Sequence, residues 1–440
     1  MIGSLLIANR GEIAVRIVRA CRELGIRSVV AYSQADAGSL SVSMADEGVC
    51  IGPPPASQSY LNQDAIISAA VLKKCDAIHP GVGFLAENAA FARKVIDAGL
   101  IFVGPLPETI SMLGDKTQAK RMAVKYDVPT VPGSADPPET PEAVAKIADE
   151  LGFPLIVKAA AGGGGKGMRV VRDAKDLVGS VRLARSEAEK AFGDGRVYVE
   201  RYLENPRHVE VQLLADSHGT VIHLGERDCS VQQKHQKLIE ESPSPGVDDL
   251  VRHDMGEAGR RLFGELGYRG AGTVEFLFQD GRFYFIEVNA RVQVEHPVTE
   301  LVSGVDIIQD QIRIASGQKL GYRQQDIEIK GYALECRINA ATSGTVTALS
   351  FPAGPGVRVD SYLALGATVP PYYDSLVAKI VCWAENRRAG LRRMARALEE
   401  TQIEGITTNL ETQKAILADP EFLSGKFGTG FFERHQAKEQ

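Results

Sequence analysis

Apolar and polar residues alternate without a break from Ile286 to Glu295. Ile286, Val288, Ala290, Val292 and Val294 are apolar, while Glu287, Asn289, Arg291, Gln293 and Glu295 are polar or charged. A period of two predicts an extended strand from Phe283 to Glu295 with these five polar residues on one face. A solvated strand would alternate too, but this face carries two carboxylates, an amide and a guanidinium, with no Lys, Thr or Ser. Gly272–Phe278 is a second β-rich run, joined to the first through Gln279-Asp280-Gly281. Asp-Gly between two such runs predicts a hairpin. A two-residue turn pairs Glu275 with Ile286, and a three-residue loop through Arg282 pairs Glu275 with Glu287. Facing carboxylates repel as a bare pair, but a hard divalent cation reverses that sign by taking carboxylate oxygens and completing its shell with phosphate and water. Glu275, Glu287 and Asn289 are therefore candidate Mg²⁺ ligands beside a nucleotide. The plainer alternative is an exposed hairpin with a charged wet face.

Elsewhere the pattern predicts strands and helices in alternation. Leu5–Ala8 reads as a buried strand, Ile13, Ile17, Ala20, Cys21 and Leu24 recur at helical spacing, Gly25 stops the helix, and Ser28–Tyr32 is the next strand. The alternation continues through a helix at Ala65–Leu72, a strand at Ala77-Ile78, a helix at Phe91–Asp97 and a strand at Leu100–Val103. Such βαβ units predict a doubly wound parallel sheet over residues 1–113. No G-x-G-x-x-G follows the first strand, so the dinucleotide fingerprint is missing. His79-Pro80-Gly81-Val82 lies where a strand ends, the usual ligand-facing place in such sheets, although a plain Pro-Gly turn would read the same.

Gly114-Asp115-Lys116 opens a helix, and five prolines between Pro129 and Pro141 suggest a linker. Pro154–Lys158 and Met168–Val171 are strands around Ala161-Gly162-Gly163-Gly164-Gly165-Lys166-Gly167. That loop is not a P-loop, because Gly167 stands where Ser or Thr is needed and a strand follows. It reads as a flap whose bare N–H groups could close over phosphates, or as a surface hairpin. Val197–Leu203 is extended, and His208–Leu214 alternates as a strand. The polar run Glu226–Lys237 reads, in isolation, as a solvated face. A helix from about Asp248 leads to the hairpin. Beyond it come a helix at Val305–Ala315, a strand at Ala333–Ile338 with Glu335 and Arg337 on one face, a loop over Ala340–Ser350, a strand at Val377–Trp383 and a helix at Ala389–Glu400.

Composition adds bounds. The chain has 440 residues and a formal net charge of −6, so no basic field points to nucleic acid. Six scattered cysteines without a C-x-x-C pair argue against zinc or a disulfide framework and suit a reducing compartment. With no signal peptide or membrane span legible, a cytoplasmic protein is expected.

Taken together, several pieces resemble the biotin carboxylases, an ATP-grasp family. They are Ile7-Ala8-Asn9-Arg10-Gly11-Glu12-Ile13-Ala14, His79-Pro80-Gly81, Gly162–Gly165, Glu226-Arg227-Asp228-Cys229-Ser230, His235-Gln236-Lys237, Glu287-Val288-Asn289, Arg291–Glu300 and Glu335–Ala340. The resemblance spans nearly the whole chain in order. It implies an α/β and α+β architecture: an N-terminal doubly wound domain (1–113), an ATP-grasp domain (114–330) with a small flap domain at about 130–203, and a C-terminal domain (331–440). It further implies ATP contacts at Lys116, Lys158, Gly164, Gly165, Glu200, Arg201, Tyr202, Leu203, His208, Gln232, His235, Glu275 and Glu287. Glu275, Glu287 and Asn289 would hold Mg²⁺ or Mn²⁺, two ions in the family. Lys237, Arg291, Gln293, Val294 and Arg337 would bind bicarbonate, Glu295 would deprotonate it, and Arg337 would steady the biotin enolate. Catalysis would thus fall to Arg291, Glu295, Lys237 and Arg337.

The implied reaction is ATP-dependent carboxylation of biotin by bicarbonate through carboxyphosphate, the first half-reaction of a biotin-dependent carboxylase. Biotin would arrive on a carrier protein, since no Ala-Met-Lys-Met motif occurs in the chain. The carrier and the carboxyltransferase are expected on other chains, and the family suggests a homodimer. Acetyl-CoA, another acyl-CoA, pyruvate or urea could be the final acceptor. Four departures from the family pattern stand out: Val82 for Tyr, Ala161 for Gly, Arg201 for Lys, and a shortened, less acidic 341–350 segment after Arg337. Two rivals are a carbamoyl-phosphate synthetase-like ligase and a catalytically silent nucleotide-binding regulatory chain. Arg291, Glu295 and Arg337 together favour biotin carboxylation.

Overall fold

Five short runs of the first hundred residues form a parallel sheet. In the computed structural model, which describes residues 1–134, 138, 140–160 and 168–439, these are β1 (Ser4–Ile7), β2 (Arg27–Ser33), β3 (Glu47–Gly52), β4 (Ala77–His79) and β5 (Ile101–Phe102). Their order is β3-β2-β1-β4-β5, and every neighbouring pair is parallel. β1 is buried throughout, as expected for a strand covered by helices on both faces. Strand order reverses between β1 and β4, so a crevice opens beyond Ile7 and His79. Across it, Asn9 Nδ2 donates to Pro80 O at 2.7 Å and to Val82 O at 2.8 Å. Gly81 has φ +65°, and a Cβ there would meet Asn9 at 2.7 Å. This Pro-Gly turn therefore requires its glycine.

A small three-stranded antiparallel sheet follows, with β6 (Leu155–Ala159) between β7 (Arg169–Val171) and β8 (Val197–Arg201). Helices Pro141–Leu151 and Ala174–Phe192 cover it around Val144, Leu155, Val157, Leu177 and Val181. The glycine-rich flap loop, with Ala161, Gly164 and Gly165, lies outside the described residues.

The remaining strands build one eight-stranded antiparallel sheet. They are β9 (Arg207–Ala215), β10 (Val221–Gln233), β11 (Gln236–Ser242), β12 (Gly270–Gln279), β13 (Arg282–Asn289), β14 (Tyr332–Asn339), β17 (Val357–Ser361) and β19 (Leu376–Ala384). The order is β13-β12-β9-β10-β11-β14-β19-β17, so β14, β19 and β17 from the C-terminal region extend the sheet that carries the hairpin. Two short pairs lie beside it: β15 (Gly344–Thr345) with β18 (Thr368–Val369), and β16 (Ala348–Ser350) with β20 (Gln402–Glu404).

Three expectations are corrected. The predicted strand Phe283–Glu295 ends at Asn289. Ala290–Glu295 is a turn leading into helix His296–Ser303, which Pro297 helps to start. The alternation continued because both sides of this turn are packed: Val292 is buried on one, Gln293 and Glu295 on the other. The run Glu226–Lys237, read as solvated, lies mostly in β10, with Glu226, Arg227, Asp228 and Ser230 all buried. Its charges pair internally: Glu226 with Arg252 at 2.8 Å and Asp228 with Arg207 at 2.7 Å. Finally, Ala340–Ser350 is not a plain loop, because β-branched Thr345 and its neighbours pair as β15 and β16.

The hairpin combines parts of both expected registers. Asp280 (φ +51°) and Gly281 (φ +73°) form a two-residue turn between Gln279 and Arg282 with the positive φ values of type I′. A register shift between Phe276 and Glu275 then skips Ile286 and brings Glu275 opposite Glu287. The bulge thus supplies the extra residue that the three-residue loop would have given.

Candidate functional site

The crevice of the N-terminal sheet, the small three-stranded sheet and one face of the large sheet enclose a cleft of about 1420 Å³. Among the described residues it is lined by every sequence-predicted site residue, from Lys116 and Lys158 to Glu295 and Arg337. Val82 and Phe84 reach it from the loop after β4.

At one end, two lysines converge on Glu200 of β8. Lys120 Nζ and Lys158 Nζ each lie 2.8 Å from its carboxylate oxygens. Lys120, one turn after Lys116 on helix Lys116–Lys125, was missed in the sequence, although an i, i+4 lysine pair on that helix was a readable signal. Burial alone would raise the Glu200 carboxyl, but the two ammonium groups reverse this and lower it from 4.5 to about 2. A carboxyl depressed in the folded state stabilises the fold above its unfolded value, and that stabilisation is lost as pH falls through the folded value. Glu200→Gln is therefore expected to flatten the stability–pH curve between about 4.5 and 2, measured by urea unfolding across that range. A slope equal to that of the unaltered protein would count against the pairing. Arg201, Tyr202 and Leu203 line the cleft beside Glu200. The Arg201 side chain, however, turns outward to Leu151 O at 3.0 Å.

In the middle, Glu275 of β12 gathers donors. His208 Nε2 lies 2.8 Å from one oxygen, and Asn289 Nδ2 and Gln293 Nε2 donate to the other, each at 2.8 Å. Lys237 Nζ is 3.2 Å away. Gln232 Nε2 contacts the second ring nitrogen of His208 at 2.7 Å, which fixes the ring. Burial disfavours the imidazolium, but Glu275 outweighs it and raises the His208 pKa. Glu287 faces Lys116 Nζ at 3.0 Å. His235 sits in the two-residue turn between β10 and β11 with φ +65° and lines the cleft.

At the other end stands Glu295, 2% exposed. Lys237 Nζ lies 2.5 Å from one oxygen and Arg337 Nη2 2.8 Å from the other. Burial would raise this carboxyl, but Lys237, Arg337 and Arg227 together hold it well below the ordinary range. Arg291 reaches Glu87 at 2.7 Å and Asn289 Oδ1 at 3.0 Å. Thus Arg291 and Glu295 flank Gln293 as expected, on a turn instead of a strand.

Beneath this surface lies a layer that the sequence reading missed. Arg227, fully buried, uses all five N–H groups: Nε to Glu210 (2.6 Å), Nη1 to Gln212 (2.7 Å) and Thr299 (3.0 Å), Nη2 to Thr273 (3.2 Å) and Gln293 (2.7 Å). Glu210 also holds Lys237 Nζ at 2.5 Å. Its place two residues after His208, on the polar face of β9, was a usable signal. Glu240 of β11 holds Arg337 at 2.5 Å and is pushed up to about 7 by burial, against the opposing pull of Arg337.

The donor set suits a hard cation, since Glu275, Glu287 and Asn289 offer side-chain oxygens. All six cysteines are free thiols, and only Cys50 is exposed. No helix among the described residues is long and apolar enough to cross a membrane.

Comparison with known proteins accounts for the same regions. A family model described as the biotin carboxylase N-terminal domain matches residues 1–110, and one for the biotin carboxylase C-terminal domain matches 335–434. A third, for the carbamoyl-phosphate synthase L chain ATP-binding domain, matches 115–323. A biotin carboxylase of Pseudomonas aeruginosa is 53% identical, covering 99% of this chain and 98% of the relative. A biotin carboxylase of Haemophilus influenzae is 50% identical over 99% of both chains. Among solved structures, a Campylobacter jejuni biotin carboxylase–β,γ-ATP complex superposes with a TM-score of 0.95, 45% identity and 99% coverage of both chains. The biotin carboxylase domain dimer of Hydrogenobacter thermophilus 2-oxoglutarate carboxylase, bound to MgADP, ADP and bicarbonate, gives 0.93 at 45% identity, covering 99% and 98%. The carbamoyl-phosphate synthase model covers only the central ATP-binding part, whereas these relatives match end to end. The chain belongs to the biotin carboxylase family.

Proposed function

We propose that this chain carboxylates biotin presented on a carrier protein, consuming ATP and bicarbonate and releasing ADP and phosphate. The observation that carries this reading is Glu295 held between Lys237 and Arg337 at 2.5 and 2.8 Å, beside the Arg291 guanidinium. A small oxyanion that draws Lys237 and Arg337 onto itself relieves Glu295 of the two cations that depress it. Glu295 then becomes a stronger base next to the proton it must take. Bicarbonate is the anion whose proton this arrangement suits, with Arg291 and Gln293 orienting it. Lys116 and Lys158 serve the ATP phosphates, as positioning and charge stabilisation dominate phosphoryl transfer. Glu275, Glu287 and Asn289 would hold magnesium or manganese, which when bound offsets charge on the phosphate oxygens. Arg337 lies between the Glu295 end and Glu240, where a fixed cation can stabilise an oxyanion on biotin.

The reading includes the division into domains 1–113, 114–330 and 331–440, a homodimer, and a cytoplasmic setting. It also includes a biotin carboxyl carrier protein and a carboxyltransferase as partners. The carboxyltransferase sets the acceptor, acetyl-CoA or another acyl-CoA. The test is ADP release by the purified chain with Mg-ATP and bicarbonate, with and without free biotin. Strong stimulation by biotin is expected. ATP binding without any biotin-dependent turnover would overturn the reading.

A further inference from the structure

Two cations stand directly opposite each other on the large sheet. Arg337 of β14 pairs in register with Lys379 of β19. Like charges in such positions repel, so each needs its own counter-charge. Arg337 has Glu240 and Glu295. Lys379 is 0% exposed and lies 3.0 Å from Glu12 Oε2 and 3.8 Å from Asp360 Oδ2. The hydrogen bond of its ammonium goes to a backbone carbonyl: Lys379 Nζ donates to Val294 O at 2.8 Å.

The two cross-strand neighbours therefore grip consecutive residues of one turn. Arg337 takes the side chain of Glu295, and Lys379 takes the carbonyl just before it. Ala290–Glu295 has no strand partner, because β13 ends at Asn289. The turn is held instead by side chains: Glu87 accepts from Ala290 N at 2.9 Å, Arg227 and Glu275 fix Gln293, and Lys379 fixes Val294. Because a peptide unit is planar, anchoring the Val294 carbonyl orients the whole peptide link to Glu295, and so the start of the Glu295 side chain. Lys379 comes from the C-terminal region and Glu12 from the first helix of the N-terminal sheet. The anchor thus ties the turn to both.

We propose that Lys379 is a positioning residue for the bicarbonate step: it acts through the Val294 carbonyl to aim Glu295, without touching substrate. The proposal rests on assigning the 290–295 turn to bicarbonate.

The experiment measures KM for bicarbonate and for ATP, together with kcat, in Lys379→Met and in the double variant Glu12→Gln/Lys379→Met. The double variant removes both members of the buried ion pair, so no new unpaired charge is left at that pair. Misaiming a reacting group by a fraction of an ångström to one ångström costs from about tenfold to about a hundredfold. Both variants are therefore expected to raise bicarbonate KM or lower kcat about tenfold or more, with ATP KM within about twofold. A merely structural loss would move both KM values together. Bicarbonate KM and kcat at the level of the unaltered protein, equal rises in both KM values, or a double variant that does not fold would each overturn the positioning role. Glu295→Gln in the same assay separates the two levels. If it keeps full bicarbonate-dependent ADP release, the site assignment itself is wrong. If it loses activity while the Lys379 variants do not, only the positioning role fails.

Discussion

Glu295→Ala is expected to lower biotin-dependent ADP release by about 10²–10⁴-fold at neutral pH, the usual contribution of a positioned general base. The side chain is nearly inaccessible, and its two oxygens meet Lys237 and Arg337 separately. Removing it takes away the proposed proton acceptor and also leaves both cations without a partner on that side. ATP affinity should change little, since the Lys116, Lys158 and Glu200 end of the cleft shares no direct contact with Glu295. The measurement is initial-rate ADP release against bicarbonate concentration, alongside equilibrium ATP binding. Unchanged bicarbonate-dependent turnover would rule Glu295 out as the base.

The second large effect concerns stability. Arg227→Met is expected to destabilise the fold by about 3–5 kcal/mol, the cost of stripping one partner from a buried ion pair. Five hydrogen bonds disappear at once, and Glu210, itself fully buried, keeps only Lys237. The guanidinium also joins β9, β10, β12, the 290–295 turn and helix His296–Ser303, so its loss loosens five elements together. Urea unfolding followed by circular dichroism measures the change. Adding Glu210→Gln should recover part of the loss, because the stranded charge goes with it. A single variant within about 1 kcal/mol of the unaltered protein would show that the network contributes little, well below the range for buried pairs.

The sequence was most legible where one physical rule acted alone. Leu5–Ala8 and Ser28–Tyr32 read as strands because parallel strands buried on both faces are continuous apolar runs. The hairpin was legible through Asp280-Gly281, while counting residues left Glu275 opposite either Ile286 or Glu287. What could not be counted was the bulge at Ile286, which turned a two-residue turn into the longer register. The segment Ala290–Glu295 misled because alternation reports two packed sides, whatever backbone carries them. The Glu226–Lys237 run misled for the opposite reason. Charge usually means water, but here the buried charges Glu226, Asp228 and Arg227 found internal partners in distant stretches: Arg252, Arg207 and Glu210. Such pairings across long separations leave no periodic trace. Arg227, Glu240 and Lys379 could be located only once the sheet order was known.

The resting cleft also has a consequence for how ligands enter. Its cations and carboxylates are already joined: Lys116 to Glu287, Lys120 and Lys158 to Glu200, Lys237 to Glu295. Ligand entry is therefore an exchange of partners more than an addition of contacts. A bare polyphosphate that took Lys116 would leave Glu287 facing like charge. A phosphate already carrying its divalent cation offers something to both halves of the bridge it opens. On the proposed assignment, the cleft would discriminate by charge balance before any group is recognised by shape.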